Sequence, residues 1–473
     1  MARTAIVWLR RDLRLTDNVA LHEASLSGSQ VAVLFVLDDT ILNSPRVSPA
    51  RVGFMVSALA SLDDELRRYG SRLLLRRGCP SEIVPRVVEE LGAVAVYANR
   101  DYTPYARKRD RLVEKSLGRV PFHVFTDRLL VAPEAIRTGS GGSYTVFTPF
   151  KNKWREMKKA DPDPLVTDLT CTFHKLTGVQ SLKIPSARSL GFASTIAIPP
   201  ASSHEAAQRL RNFVDGPIFR YKGQRNLLAD PFDDPRNGTS SLSPYIRWGL
   251  LSLRQIRAAA ADAYREAPDE PASESVGAWM DEIIWHEFYT HVLWNFPHVK
   301  TRNFNSKYDM VRWRHAPAEF AAWVNGRTGY PVVDAAMRQL AATGWMHNRA
   351  RMIVASFLTK SLLIDWREGE SYFMTMLLDG DLAANNGGWQ WAAGTGTDAQ
   401  PYFRIFNPVT QSEKFDPEGA YIRKWVPEIA HLPMETIYAP WNAPNRPSEY
   451  PMPIVEHSFA RVRALDAFER ARR

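Results

Sequence analysis

Residues 379–398, DGDLAANNGGWQWAAGTGTD, combine carboxylates, amides, a glycine pair and two tryptophans, without an ordinary nucleophile or a metal-ligand set. The side chains concerned are Asp379, Asp381, Asn385, Gly387, Gly388, Trp389 and Trp391. Carboxylates accept hydrogen bonds, an amide both donates and accepts, and paired glycines permit a tight backbone turn. The segment therefore predicts the floor of a pocket for a large polar aromatic cofactor. The alternative is a turn between two core helices whose tryptophans only fill space.

Residues 279–294, WMDEIIWHEFYTHVLW, predict one helix, because their apolar positions recur at intervals of three and four. That helix places Trp279, Glu282 and Trp285 on one broad face. A carboxylate between two indoles indicates a ligand, since burying it unpaired is costly. The alternative is a partly exposed glutamate beside packing tryptophans.

Residues 344–358, GWMHNRARMIVASFL, predict a second helix with two polar faces. One face carries Asn348, Arg351 and Ala355, and the other carries Trp345, Arg349 and Met352. Arginines in an apolar helix need anionic partners, and Asp379 or Asp381 could pair with one of them. A structural ion pair explains that much, whereas the second arginine could face a phosphate or a pyrimidine carbonyl.

Residues 238–249, GTSSLSPYIRWG, place several hydroxyls directly before an apolar helix. They are Thr239, Ser240, Ser241 and Ser243. Such hydroxyls suit a phosphate, although plain helix capping would use the same residues.

Several classes of site are excluded by missing motifs. The few histidines show no HExxH or paired-ligand spacing, so no metal site is expected. No GxSxG nucleophile elbow and no Walker A sequence occurs, and no GxGxxG dinucleotide fingerprint follows the first strand. Cys79 and Cys171 show no CxxC spacing, which argues against a disulfide scaffold and fits a reducing cytosol. Neither a signal peptide nor a long apolar span is present, so a soluble cytoplasmic protein is expected.

The 473-residue chain predicts an α/β part followed by an all-α part. Short apolar runs at 4–9, 31–38, 72–77, 94–98 and 121–127 alternate with helical patterns. They predict a doubly wound parallel sheet of five strands in a domain spanning residues 1–130. A long connector is expected at 131–204 and a helical domain at 205–473. Helical spacing occurs at 205–214, 252–264, 276–294, 332–342, 345–364 and 369–378.

Charge and tryptophan usage favour separate roles for the two halves. The net charge of +9 suggests a polyanionic partner without proving one. Of 14 tryptophans, only Trp8 and Trp154 precede residue 248. At the carboxyl edge of the sheet, Arg11, Asp38 and Asp101 are candidate ligands, or else simple caps and loop charges.

Over essentially its whole length the chain resembles the photolyase and cryptochrome flavoproteins, and most closely the class I cyclobutane pyrimidine dimer photolyases. The segments that carry the resemblance are VWLRRDLRLTDN, GYPVVDAAMRQL, GWMHNRARM, IDWREGE and GDLAANNGGWQWAAGTGTDAQPYFRIFNP. The resemblance implies an antenna-chromophore domain and a helical domain that holds FAD. It also implies light-driven repair of dimers in UV-damaged DNA, by electron transfer from reduced FAD to a dimer flipped out of the duplex.

The resemblance also implies roles for individual residues. The FAD phosphates would contact Tyr221, Thr239, Ser240, Ser241, Leu242 and Ser243. The rest of the cofactor would contact Trp279, Glu282, Asn348, Arg351, Asp379 and Asp381, with Asn385 at flavin N5. The dimer would contact Glu282, Trp285, Arg349, Met352 and Trp391. The electron relay would be Trp389, Trp366 and Trp313.

Two positions bear on the antenna and on local contacts. Folate-binding relatives carry Asn-Glu where this chain has Pro104-Tyr105, whereas the deazaflavin-binding pocket resembles Phe35, Asp38, Arg51, Asp101 and Arg247. An 8-hydroxy-5-deazaflavin antenna is therefore expected, with methenyltetrahydrofolate as the alternative. Many relatives have arginine where this chain has His286, so a contact there is expected to differ.

The main rival function is a cryptochrome, a blue-light receptor that repairs nothing. Signalling members usually have a long C-terminal tail, whereas this chain stops at Arg473 soon after IVEH. The 6-4 photolyases are a nearer alternative, but animal and plant members place a histidine pair around Met346-His347-Asn348 and lack the Met352 type of contact. A purely redox flavoenzyme would need a nicotinamide site. The expected protein is a monomer that needs no membrane and no obligate protein partner.

Overall fold

The computed structural model describes residues 3–159, 171–228 and 238–472. Its sheet has five strands in the order β3-β2-β1-β4-β5, and every neighbouring pair is parallel. The strands are β1 Thr4–Leu9, β2 Gln30–Asp38, β3 Leu74–Gly78, β4 Ala93–Asn99 and β5 Phe122–Phe125. The predicted five-stranded parallel sheet is confirmed, with a strand at each predicted run.

Helices cover both faces of this sheet, as the continuous apolar runs require. They are α1 Val19–Leu26, α2 Asp39–Leu42, α3 Pro49–Arg68, α4 Pro80–Leu91 and α5 Pro104–Ser116. All residues of β1 are buried, and alternate side chains enter different cores. Val7 and Leu9 belong to one core, while Ile6 and Trp8 belong to the other. The open carboxyl edge of the sheet is left to meet the helical part.

The predicted connector holds the helix α6 at Phe147–Glu156 and a short 3₁₀ helix at Arg188–Leu190. Its buried residues Phe147, Phe150 and Trp154 share a core with Phe288 and Val292 of a long helix further along the chain. The connector is therefore packed onto the helical part over this stretch.

Beyond the connector the described chain is helical. Its helices are α7 Ser203–Val214, α8 Tyr221–Gln224, α9 Ser243–Arg247, α10 Leu253–Glu266, α11 Glu270–Asn295, α12 Pro317–Val324, α13 Pro331–Thr343, α14 Asn348–Ser356, α15 Trp366–Met376, α16 Leu382–Ala393, α17 Pro408–Phe415, α18 Ala420–Trp425, α19 Met434–Ile437 and α20 His457–Arg472. A π-helix at Phe357–Ser361 continues α14. Short 3₁₀ helices lie at Arg188–Leu190, Pro217–Arg220, Pro297–Lys300, Ser306–Tyr308, Pro427–Ile429 and Pro440–Asn442.

Two local predictions are wrong. The helix predicted at 344–358 begins only at Asn348, so Trp345 lies outside it. The start is fixed by His347, whose Nδ1 accepts the backbone N–H of Arg349 at 3.1 Å. The paired glycines do not form a turn, because they lie inside α16, which ends at Gly394 with φ of 77°.

The close approach of α16 to α11 explains the first of those glycines. A methyl group at Gly387 would overlap the ring of Tyr289, so only glycine allows this packing. The helix starts at Asp381, whose Oδ1 accepts the N–H groups of Ala383 at 2.9 Å and Ala384 at 3.1 Å.

Two further features concern the chain as a whole. Within the three described ranges, no helix is both long enough and apolar enough to cross a bilayer. Cys79 and Cys171 are free, the first exposed and the second half-buried.

Candidate functional site

A cavity of about 550 Å³ opens in the helical part, between α9, α11, α14 and α16. This volume lies within the range of small-molecule sites. Its lining includes every position expected to contact FAD: Tyr221, Thr239, Ser240, Ser241, Leu242, Ser243, Trp279, Glu282, Asn348, Arg351, Asp379, Asp381 and Asn385. The fold thus brings together side chains that are widely separated in the sequence.

One end of the cavity presents unpaired polar atoms. Thr239 Oγ1, Ser241 Oγ and Arg247 Nη1 are buried and have no hydrogen-bond partner among the described residues. Thr239 and Ser241 belong to the segment before α9, and Ser241 has a φ of 50°, which is uncommon for a residue other than glycine. Leaving buried donors unpaired is costly, so these atoms indicate a bound polar group, and phosphate oxygens match them chemically.

The opposite wall carries the ion pair expected from the sequence. Arg351 Nη2 lies 2.7 Å from Asp379 Oδ2, and Arg351 Nε donates to the carbonyl oxygen of Met346 at 2.8 Å. Asp379 Oδ1 remains buried without a partner among the described residues. The pairing fixes the carboxylate and leaves one oxygen to accept a hydrogen bond from a ligand.

Asp381 receives a partner from the sheet domain. Arg11, in the loop after β1, forms an ion pair with Asp381 and lies 3.6 Å from Asp101. Burial alone would raise the pKa of Asp381, but the guanidinium groups of Arg11, Arg247 and Arg128 hold it well below its ordinary value. The carboxylate is therefore ionised while it caps α16.

Two histidines that sequence reasoning did not assign also line the cavity. Burial lowers the pKa of His286 to about 4 and that of His347 to about 3, so both imidazoles are neutral near pH 7. Because His347 Nδ1 accepts a backbone N–H, its Nε2 carries the proton. That nitrogen is buried without a partner among the described residues, which makes it a further donor for a ligand.

The amide of Asn385 is oriented by its neighbours. Its Nδ2 donates to the backbone oxygen of Glu370 at 3.0 Å and to Glu370 Oε1 at 3.1 Å. Both partners are acceptors, so the group facing them is the NH₂. The Oδ1 atom is left for the cavity.

The residues expected to contact the dimer line the same cavity: Glu282, Trp285, Arg349, Met352 and Trp391. The side of the cavity that carries them is called its mouth, because Arg349, Met352 and Trp391 also border an adjoining groove. Trp285 stacks on Phe147 of α6, with ring centroids 3.7 Å apart and planes 6° from parallel. An adjoining groove of about 640 Å³ shares Arg349, Met352 and Trp391 and continues to the basic side chains of Arg404 and Lys414.

Two polar pairs set the electrostatics of the mouth. Arg225 Nη1 lies 2.7 Å from Glu282 Oε1, and Arg349 Nη2 donates to Asn226 Oδ1 at 2.7 Å. Burial raises the pKa of Glu282 above its ordinary value, while the Arg225 guanidinium opposes that rise. Sequence reasoning missed Arg225 and Asn226 because their segment has no motif that indicates a site.

The tryptophans expected to form a relay lie along one core. Trp389 lines the cavity, and Trp366 is fully buried in the same cluster. Trp313 is only partly buried and packs against that cluster and against Phe468, at 5.9 Å between ring centroids. Trp323 also contacts Trp389, at 6.1 Å. The arrangement runs from the cavity towards solvent.

The residues expected at the antenna are distributed around the carboxyl edge of the sheet. Phe35 and Asp101 are buried, and Asp38 accepts a hydrogen bond from the hydroxyl of Tyr105. Arg51 Nη1 donates to the carbonyl oxygen of Leu377 at 2.8 Å, and Arg247 Nε donates to that of Gly380 at 2.8 Å. Arg51 therefore reaches from α3 to the helical part, whereas Arg247 belongs to α9 and bonds within the helical part. In the described ranges, no cluster of three or more His, Cys, Asp or Glu side chains could hold a metal.

A parallel α/β sheet is joined to a helical part. The pocket of that part is lined by tryptophans and by polar atoms that the described residues leave unpartnered and that can donate to phosphate oxygens. These features define a protein that binds a nucleotide cofactor. Two family models match the chain: "DNA photolyase" over residues 5–167 and "FAD binding domain of DNA photolyase" over residues 279–470. A deoxyribodipyrimidine photo-lyase from Synechococcus sp. is 42% identical, and the match covers 97% of this chain and 95% of that protein.

Solved structures agree. A class III photolyase from Agrobacterium tumefaciens superposes with a TM-score of 0.90 at 36% identity, covering 100% of this chain and 98% of that one. A photolyase from Sulfolobus tokodaii, whose crystal structure contains two FAD molecules, gives a TM-score of 0.85 at 32% identity, covering 99% and 100%. The chain therefore belongs to the DNA photolyase family and contains its FAD-binding domain.

Proposed function

We propose that this protein repairs cyclobutane pyrimidine dimers in UV-damaged DNA when illuminated. The observation that carries the proposal is one continuous cavity lined both by the residues expected to contact FAD and by two tryptophans, a glutamate and an arginine expected to contact the dimer. Flat indoles suit the pyrimidine rings, while Glu282 and Arg349 can bond their imide and carbonyl edges. A dimer must leave the base stack to reach such a mouth.

The cofactor, when bound in its reduced form, supplies light absorption and the electron that splits the dimer. The protein's own residues bind and orient the reactants. Thr239 and Ser241 would hold phosphates, Arg351 keeps the Asp379 carboxylate in place, and Asn385 presents its carbonyl oxygen to the flavin. Trp389, Trp366 and Trp313 would carry electrons inward to restore the reduced form.

Binding to the DNA backbone is proposed to be largely independent of base sequence. The basic groove beside the mouth includes Arg404 and Lys414, and the chain has a net charge of +9. Contacts of lysines and arginines with phosphates weaken as salt rises, whereas the cavity supplies selectivity for the lesion. The protein would act on DNA in the cytoplasm as a monomer without an obligate protein partner, and sedimentation would check the oligomeric state.

For the antenna, 8-hydroxy-5-deazaflavin is proposed, bound near Phe35, Asp38, Arg51, Asp101 and Arg247. Support comes from the position of Asp38 and Asp101 at the carboxyl edge of the sheet, where open α/β sheets bind ligands. Protein from a host that makes deazaflavin should show its absorption band, and Asp101→Ala should remove it. Native protein that releases methenyltetrahydrofolate or a second FAD would overturn this assignment.

One assay tests the proposed function. Purified protein is incubated with an oligonucleotide containing a thymine dimer and with one containing a 6-4 photoproduct, in light and in darkness. Repair of the thymine dimer only in near-ultraviolet or blue light is expected. Light-dependent repair of the 6-4 photoproduct alone would assign the protein to that class, and repair of neither would indicate a signalling cryptochrome.

A further inference from the structure

The segment between β2 and α3 contacts α15 at several points. Arg46 forms an ion pair with both carboxylate oxygens of Glu370. Two residues further on, Ser48 Oγ donates to the carbonyl oxygen of Met376 at 3.2 Å. A guanidinium from the sheet domain is thereby placed on a carboxylate of the helical domain.

Glu370 is only 3% exposed and lies directly behind the cofactor cavity. The oxygen Oε1 that receives Arg46 also accepts Nδ2 of Asn385 at 3.1 Å. A chain of contacts therefore runs from Arg46 through Glu370 to an amide that lines the cavity. Neither Arg46 nor Glu370 emerged as a site residue from the sequence, since no local pattern joins them to Asn385.

We propose that Arg46 is a positioning residue for the flavin: by holding Glu370 as a carboxylate, it keeps the carbonyl oxygen of Asn385 turned towards the cofactor. This inference rests on the proposed function. Reduced flavin carries a hydrogen on N5, whereas oxidised flavin has a lone pair there. An acceptor facing that nitrogen favours the reduced form, so Arg46 helps to keep the flavin reduced.

Electrostatics around Glu370 support this role. Burial raises the pKa of Glu370, and the positive groups that oppose the rise are Arg46 and the more distant Lys300. Without Arg46 the pKa of Glu370 would rise further, and the protonated carboxyl group could donate its O–H to the Asn385 oxygen. The Nδ2 bond to the backbone oxygen of Glu370 would then have to hold the amide by itself, so a larger share of molecules would turn the NH₂ towards the cavity.

The test compares Arg46→Met, Arg46→Lys and Ser48→Ala, each purified with bound FAD. Ser48→Ala is the matched control, because it removes a contact of the same segment with α15 without touching Glu370. After reduction with dithionite and its removal, reoxidation by air in the dark is followed by absorbance. We expect reoxidation to be about tenfold faster in Arg46→Met. A tenfold change corresponds to the free energy of one weakened hydrogen bond to a charged group. Arg46→Lys and the control should stay near wild type.

A double variant isolates the route. In the background of Asn385→Ala, adding Arg46→Met should cause no further change in the reoxidation rate or in the midpoint potential of the flavin. An undiminished effect there, or equal rates for Arg46→Met and Ser48→Ala, would overturn the inference. If Arg46→Met does not fold, Arg46→Gln replaces it, with the same faster reoxidation expected because it also removes the positive charge.

Failure of this inference is distinguishable from failure of the proposed function. Repair of thymine-dimer DNA by dithionite-reduced wild-type protein is measured separately. If the protein repairs dimers but Arg46→Met leaves reoxidation unchanged, only the inference about Arg46 is wrong. If the protein holds FAD and shows the Arg46 effect but repairs no dimer, only the proposed function is wrong.

Discussion

At the scale of single residues, the site depends on atoms that protein neighbours leave free. Asp379 uses one carboxylate oxygen for Arg351, and Asn385 uses its NH₂ for Glu370. The other oxygens, Asp379 Oδ1 and Asn385 Oδ1, can therefore accept hydrogen bonds from a ligand. A polar side chain in this pocket is thus oriented before any cofactor binds, which lowers the cost of ordering it later.

Trp389→Phe separates repair from flavin reduction. Trp389 lines the cavity and packs on Phe373, with ring centroids 5.0 Å apart, so phenylalanine should preserve the packing but is far harder to oxidise. We expect photoreduction of oxidised flavin to fall at least about tenfold, while dithionite-reduced protein still repairs dimers. Transient absorption and the repair assay measure the two steps. Equal loss in both would contradict the relay role.

Arg225→Gln should shift a pH dependence. Because Arg225 opposes the rise in the pKa of Glu282, its removal raises that pKa further. The ionised carboxylate, which accepts from a pyrimidine imide N–H, would then be lost at a higher pH as the solution is acidified. Affinity for dimer-containing DNA, measured from pH 5 to pH 9, should weaken at a higher pH in the variant than in wild type. Identical pH profiles would exclude this coupling.

At the scale of elements, the connector helix α6 supports the cavity mouth. Phe147 stacks directly on Trp285 and is buried. Phe147→Ala should lower affinity for dimer DNA by about fivefold, since a stacked aromatic pair contributes about 1 kcal/mol. FAD content should not change. Lys153→Ala, on the exposed side of α6, is the control, and equal affinity losses in the two variants would argue against specific support of Trp285.

Elements were largely predictable because their patterns are local. Short apolar runs and helical periodicities placed all the strands and α7, α10 and α13 within a few residues, whereas α11 begins at Glu270, before its predicted start at 276. The prediction went wrong where one side chain decides a boundary. His347 caps α14 later than its apolar pattern begins, and Gly387 serves close helix packing where glycine usually predicts a turn.

At the scale of the whole molecule, Glu287 joins the connector to α11. It accepts the backbone N–H of Leu130 and, at 2.6 Å, the indole N–H of Trp154. Burial raises the pKa of Glu287 to about 7, above its unfolded value. The folded protein therefore binds the proton of the Glu287 carboxyl group more tightly than the unfolded chain does. The stability that this proton contributes is full at low pH and is lost as pH rises through about 7.

Glu287→Gln should flatten this dependence. Between pH 5 and pH 8, the unfolding free energy of the wild type should fall by up to about 3 kcal/mol relative to that of the variant. Denaturant unfolding at several pH values measures it. Glu134→Gln, a substitution at an exposed ion pair, is the control. Parallel curves for wild type and Glu287→Gln would show that the proton is not bound more tightly on folding.

Contacts between distant parts of the chain were beyond sequence reasoning. Arg11 meets Asp381, Arg46 meets Glu370, and Phe147 meets Trp285 only because the fold brings separate segments together. No spacing or composition joins such pairs. The resemblance to a family supplied the residues that line the cavity, whereas the partners that orient them required coordinates.

The close fit of Gly387 under Tyr289 bears on the shape of the cofactor pocket. A methyl group at position 387 would overlap the ring of Tyr289, which lines the cavity, so any other residue there would hold α16 further from α11. The glycine therefore sets the spacing of two helices that enclose the cofactor. A side chain at that position would reshape the pocket without itself contacting FAD.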